Sequence, residues 1–264
     1  MTPILILGAG RMGGALLKGW TLAGAFAPGD IMLRDPAPGD DAHTAVRAGS
    51  RLNPADGVLA EARTVLLAVK PQVWREAAAA VAGSLAPDAV VVSIAAGVRS
   101  ADVAEAFGGR RTARVMPTTA VSIGKGVASI YAADPEAVLC AHALFDPVAT
   151  TVDLADEALM DAATAVSGSA PAYLYAFIEA LEAAGAAQGL APDAARKLAR
   201  NTVTSAAALL DIGGEEPAEL RRQVTSPGGT TEAALKVLLG EGGLPELMDR
   251  AVAAAVARAR ELGG

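Results

Sequence analysis

A chain of 264 residues is long for one ordinary domain and short for three, so one domain of usual size with a smaller one behind it is expected. Hydrophobic residues make up 52% of it and aromatics only 3%, and a core of Ala, Val and Leu suits buried parallel strands and closely approaching helices. A formal net charge of −7 with scattered Lys and Arg argues against a nucleic-acid partner, and no apolar run reaches the roughly 20 residues of a membrane span.

The one cysteine, Cys140, permits no intramolecular disulfide and no thiolate metal centre. A short apolar N-terminal run without a basic stretch before it, and no membrane span, lead to the expectation of a cytoplasmic protein; no metal is expected, and any redox chemistry has to come from a cofactor.

In chain order, Thr2 to Leu7 is a β-branched and Leu-rich run that ends in glycines, and Met12, Leu16, Leu17 and Trp20 follow at helical spacing. That is a strand, a tight turn and a helix. Apolar runs recur at Ile31 to Arg34, Thr64 to Val69 and Ala89 to Ala95, with Ala- and Glu-rich helical stretches between them. Continuous apolar strands alternating with helices predict an α/β domain, a Rossmann-type parallel sheet covered on both faces, over residues 1–155. From Asp156 the pattern is helical only, over 169–188, 192–212, 230–239 and 244–262. Residues 156–264 are thus expected to form an all-α domain whose alanine-rich faces suit a dimer.

Gly8-Ala9-Gly10-Arg11-Met12-Gly13 is a G-x-G-x-x-G directly between strand and helix, the context that marks a dinucleotide site. Gly8 permits the turn, Gly10 lets the backbone approach a pyrophosphate, Gly13 packs helix on strand, and the helix N-terminus supplies free N–H groups. The end of the second strand discriminates NADH from NADPH, an acid pairing with the ribose 2′-hydroxyl or an Arg accommodating a 2′-phosphate. Arg34-Asp35 offers both, so the sequence leaves the preference open. Ala68, Val69, Lys70 and Pro71 end one strand and Ala95 and Gly97 the next, at the carboxyl edge where open α/β sheets bind ligands.

Two helical-domain segments have a chemical look: Val166-Ser167-Gly168-Ser169-Ala170-Pro171-Ala172-Tyr173, and Val224-Thr225-Ser226-Pro227-Gly228-Gly229-Thr230-Thr231-Glu232. Backbone N–H groups at the Pro-Gly-Gly turn, beside Ser and Thr hydroxyls, suit an anion such as a carboxylate.

With GAGRMGGALLKGW, AVKPQ, VVSIAAGV, RVMPTTA, VSGSAPAYLYAFIEAL and QVTSPGGTTEAAL in that order, the chain resembles the pyrroline-5-carboxylate reductase family nearly end to end. The resemblance implies a helical dimerisation domain, a homodimer, and NADPH or NADH as cofactor. It implies cofactor contacts at Gly8, Gly10, Met12, Ala68 to Pro71, Ala95 and Gly97, with Asn53 near the adenine ribose. It also implies that Ser226, Gly228, Gly229 and Thr230 surround the substrate carboxylate while Thr231 faces the ring nitrogen as the catalytic hydroxyl. Where the family usually has M-P-N-T-P, this chain has Met116-Pro117-Thr118-Thr119-Ala120, so an amide and a proline are missing.

The substrate so implied is a small cyclic imine, and the residues suit one. Both histidines, His43 and His142, lie outside every motif. An imine nitrogen can be protonated before hydride arrives, so positioned hydroxyls and N–H groups suffice without a strong enzymic acid. Other readings are a reductase of another cyclic imine, a β-hydroxyacid dehydrogenase and a non-catalytic NAD(P)-binding regulatory protein. The dehydrogenase wants a lysine on the first long helix of the second domain, and 169–188 contains none. The regulatory protein has no need of Ser-Pro-Gly-Gly-Thr-Thr.

Overall fold

The computed structural model describes residues 1–263. The chain divides into two compact units, one of Met1–Gly168 with the stretch that begins at Val256, the other of Ser169–Ala255.

The first unit is built on one eight-stranded sheet in the order β3-β2-β1-β4-β5-β6-β7-β8. Its strands are β1 (Ile4–Leu7), β2 (Ile31–Arg34), β3 (Arg51–Leu52), β4 (Thr64–Leu67), β5 (Val90–Ser93), β6 (Thr112–Pro117), β7 (Gly126–Tyr131) and β8 (Ala149–Asp153). Between and behind them run α1 (Arg11–Ala23), α2 (Asp40–Ala48), α3 (Trp74–Ala79), α4 (Ser100–Ala106), α5 (Pro135–Phe145) and α6 (Met160–Ala163). The first six strands are parallel, with Ile4 opposite Ile31 on one side and Thr64 on the other.

One antiparallel step departs from the all-parallel expectation. β7 runs against β6, and β8 lies parallel to β7. Connection length explains it: residues 118–125 are too few for the crossover that parallel neighbours need, whereas α5 supplies that crossover between β7 and β8.

Each central strand is buried on both faces because its alternate side chains enter different cores. Ile4 and Ile6 join Leu16, Leu17 and Trp20 of α1 and Ala141 and Leu144 of α5 on one side. Leu5 and Leu7 join Trp74 and Ala78 of α3 and Val103 of α4 on the other. Trp20 locks the first layer: its indole N–H donates to the Leu144 carbonyl at 2.7 Å, and its ring meets Phe26 edge-on at 5.1 Å.

The second unit contains α7 (Ala170–Ala187), α8 (Pro192–Gly213), α9 (Pro217–Gln223), α10 (Thr230–Leu238) and the start of α11 (Leu244–Gly263). Pro171, Pro192 and Pro217 each stand in a first turn, where their missing N–H costs nothing. In α7 and α8 only Ala195 and Ala199 are buried. Leu174 (55% exposed), Phe177 (44%) and Ile212 (86%) remain open to solvent.

Candidate active site

A cleft of about 760 Å³ opens at the carboxyl ends of β1, β2 and β4, within the first unit. The three motif glycines play different parts there. A Cβ on Gly8, whose φ is +92°, would lie 2.8 Å from Val69 Cγ1, and one on Gly13 would lie 2.3 Å from the Gly8 carbonyl. Both glycines are demanded by the chain's own packing. A Cβ on Gly10 would meet nothing within 4 Å, and Gly10 borders the open cleft. Gly10 also precedes α1 without any side-chain cap, which leaves first-turn N–H groups available to an anion. An open glycine cradle before an uncapped helix fits a dinucleotide pyrophosphate.

Arg11, Met12, Arg34, Asp35 and Asn53 also line the cleft. Asp35 Oδ2 accepts from the Ala9 N–H at 2.6 Å and Oδ1 from the Ala37 N–H at 2.7 Å. The Asn53 amide grips the main chain of Asp35, accepting from its N–H and donating to its carbonyl, both at 3.0 Å. Arg34 is paired with Asp56.

From the next strand exit, Ala68, Val69 and Lys70 line the cleft, whereas Gly13, Pro71, Ala95 and Gly97 are not among its walls. Ala95 is buried, and its neighbour Ile94 faces the cleft instead. The sequence reading did not include the apolar wall made by Val73, Ala77, Ala80 and Val81. Their helical spacing was the signal for it.

In the second unit, Ser226 to Thr231 form the turn into α10. Gly228 has φ +70°, and the Gly229 N–H donates to the Ser226 carbonyl at 3.0 Å. Gly229 precedes the helix without a side-chain cap, and the first-turn N–H groups have no intrahelical partner. The Gly228 N–H donates to the carboxylate of Glu232. That bond first, and the Lys236 ammonium second, hold the Glu232 carboxyl below its ordinary range.

Other singled-out residues have structural partners. Thr118 occupies the family's usual Asn position. It is buried, donates its N–H to the Val127 carbonyl at 2.9 Å and accepts the Val127 N–H on Oγ1 at 3.0 Å. The hydroxyl thus closes the corner between β6 and β7. Arg114, a charge in mid-strand, pairs with Glu157 at 3.2 Å, and Glu157 also accepts from the Ser100 N–H and hydroxyl, each at 2.7 Å. His142 sits between Asp146 (3.0 Å) and Asp153 (2.9 Å). Cys140 is buried against the Thr64 hydroxyl at 3.0 Å.

Comparison with known proteins identifies the family. Residues 157–262 match the family described as pyrroline-5-carboxylate reductase dimerisation, and residues 3–97 the one described as NADP oxidoreductase, coenzyme F420-dependent. The pyrroline-5-carboxylate reductase of Pseudomonas aeruginosa is 37% identical over 99% of this chain and 97% of its own length. That of Pisum sativum is 35% identical over 97% and 94%. Among solved structures, a pyrroline-5-carboxylate reductase from Coxiella burnetii is similar with a TM-score of 0.90 at 31% identity, covering 99% of this chain and 98% of that one. The chain belongs to the pyrroline-5-carboxylate reductase family.

Proposed function

We propose that this chain reduces 1-pyrroline-5-carboxylate to L-proline with NAD(P)H. In this reading Ser226, Gly228, Gly229 and Thr230 receive the substrate carboxylate, and Thr231 faces the ring nitrogen. The observation that carries it is the turn before α10, where Gly229 brings no side-chain cap, so that the first-turn N–H groups are left to an anion while the Gly228 N–H is taken by Glu232.

When bound, the nicotinamide cofactor supplies the hydride. Gly10 leaves room for its pyrophosphate, the first turn of α1 offers N–H groups to it, and Arg11 and Lys70 add positive charge at the cleft. An imine nitrogen is protonated near neutral pH, so Thr231 has only to orient it, and positioning carries most of the acceleration.

A homodimer belongs to the same reading. Leu174, Phe177 and Leu181 stand exposed along α7, a face that a lone chain leaves in water. The functional division falls between residues 155 and 156, next to the start of the dimerisation match at 157. A lone buried thiol suits a cytoplasmic setting, and no helix among the described residues is long and apolar enough to cross a membrane.

The test follows NADH and NADPH oxidation by absorbance with 1-pyrroline-5-carboxylate and with its six-membered analogue, for the wild type and Thr231→Ala. The five-membered imine should be reduced faster, and Thr231→Ala should lower kcat/KM by about a hundredfold while cofactor affinity is kept. Faster turnover of the six-membered ring would point to another imine reductase, and equal losses in turnover and cofactor affinity would remove Thr231 from its role.

A further inference from the structure

We propose that this chain selects NADH over NADPH and that Asp35 makes the selection. The inference rests on the dinucleotide reading above and assigns the part of the cleft that would face the adenine ribose.

Asp35 directly follows β2, where a dinucleotide's ribose hydroxyls are read. Its carboxylate is held in place from several sides. Oδ2 takes the N–H of Ala9, the residue between Gly8 and Gly10, at 2.6 Å, and Oδ1 takes the Ala37 N–H at 2.7 Å. The Asn53 side chain fixes the Asp35 peptide through two bonds of 3.0 Å. Asn53 does so from a left-handed conformation, φ +46°, that asparagine tolerates better than most residues. Asn53 thus fixes the Asp35 peptide, and the Ala9 N–H holds the carboxylate at the glycine turn.

An ionised carboxylate has about four acceptor positions and no donor. One position on each oxygen of Asp35 is taken by backbone, and those that remain can only accept. A ribose 2′-hydroxyl has a proton to offer them. A 2′-phosphate, with a second pKa of about 6, is largely without one at neutral pH and carries its own negative charge to the same place. The adjacent cation is Arg34, whose guanidinium is shared with the exposed carboxylate of Asp56.

The experiment titrates ADP-ribose and 2′-phospho-ADP-ribose into wild type, Asp35→Ser and Asp35→Asn by calorimetry. Neither ligand carries a nicotinamide, so binding is read apart from turnover. Serine and asparagine both keep an acceptor for the Ala9 N–H and remove the charge, and circular dichroism checks that each variant folds. The wild type should bind ADP-ribose at least about tenfold more tightly, a difference of about 1.4 kcal/mol. Each variant should narrow that ratio about tenfold by gaining affinity for the phosphorylated ligand. Equal or tighter binding of 2′-phospho-ADP-ribose by the wild type overturns the selectivity while leaving the dinucleotide site standing. A ratio unmoved in a folded variant removes Asp35 from the role. If neither ligand binds the wild type, the dinucleotide reading falls and the selectivity with it.

Discussion

Gly10 and Gly13 lie three residues apart in one motif, and the structure predicts opposite consequences for giving each a methyl group. At Gly13 the new Cβ would stand 2.3 Å from the Gly8 carbonyl, an overlap that only a shift of backbone relieves. Overpacking of that kind costs about 1–3 kcal/mol, offset by up to about 1 kcal/mol because alanine is the better helix former. The net cost, up to about 3 kcal/mol, should lower the melting temperature of a unit of this size by as much as about 12 °C. At Gly10 the Cβ meets nothing, and stability changes by only about 0.5–1 kcal/mol because alanine precedes helices less well than glycine. The cost there falls on binding. A methyl group before the uncapped turn holds the phosphates away from the helix N–H groups, and one lost charge-assisted hydrogen bond is worth about 1.5–3 kcal/mol, a tenfold to hundredfold weaker complex. Thermal unfolding and calorimetric titration of ADP-ribose on Gly10→Ala and Gly13→Ala check both halves. A Gly10→Ala protein that binds within twofold of wild type would refute the reasoning, because the open space would then face no phosphate.

Three further outcomes follow from the site's surroundings. Glu157→Leu strands the buried Arg114 and should cost about 3–5 kcal/mol in urea unfolding. Arg114→Leu should cost less, because Glu157 keeps both bonds from Ser100; the reverse order would contradict this account of the network. The His142 imidazole has its pKa raised, chiefly by its bond to Asp146, with desolvation opposing and Asp153 assisting. Its contribution is therefore full below the unfolded value of about 6.5 and fades as pH rises through the higher folded value. The stability lost in His142→Gln should thus be larger near pH 6 than near pH 9, and a pH-independent loss would speak against the pairing. The Cys140 thiol, pushed up by burial, should resist alkylation in the native protein and react once it is denatured; rapid native labelling would show the site to be open.

Legibility in the sequence followed the reach of the forces involved. The strands from Ile4, Ile31, Thr64 and Val90 were readable because burial on both faces writes an unbroken apolar run. Helices α7, α8, α10 and α11 were readable from period and proline placement, to within about two residues at their ends. β6 was not read as a strand because Arg114 interrupts it, and the partner that makes that charge tolerable lies 43 residues away. β8 (ATTVD) is half exposed and carries little apolar signal. The glycine motif was legible together with the separate parts of its three glycines, because strand, turn and helix are contiguous in the chain. Arg34-Asp35 was ambiguous because the Ala9 N–H and the Asn53 amide that hold Asp35 come from other parts of the chain.

The sheet's two margins bear on how this protein fails under stress. One margin is β3, only Arg51–Leu52 long, with Arg51 bound to Glu61. The other is β8, which ends at Asp153 in the grip of His142. Short, charged margins make poor templates for a foreign strand. Precipitation on storage or overexpression should therefore begin where a chain parted from its proposed partner bares the leucine-rich helix faces, and should yield helix-retaining aggregates.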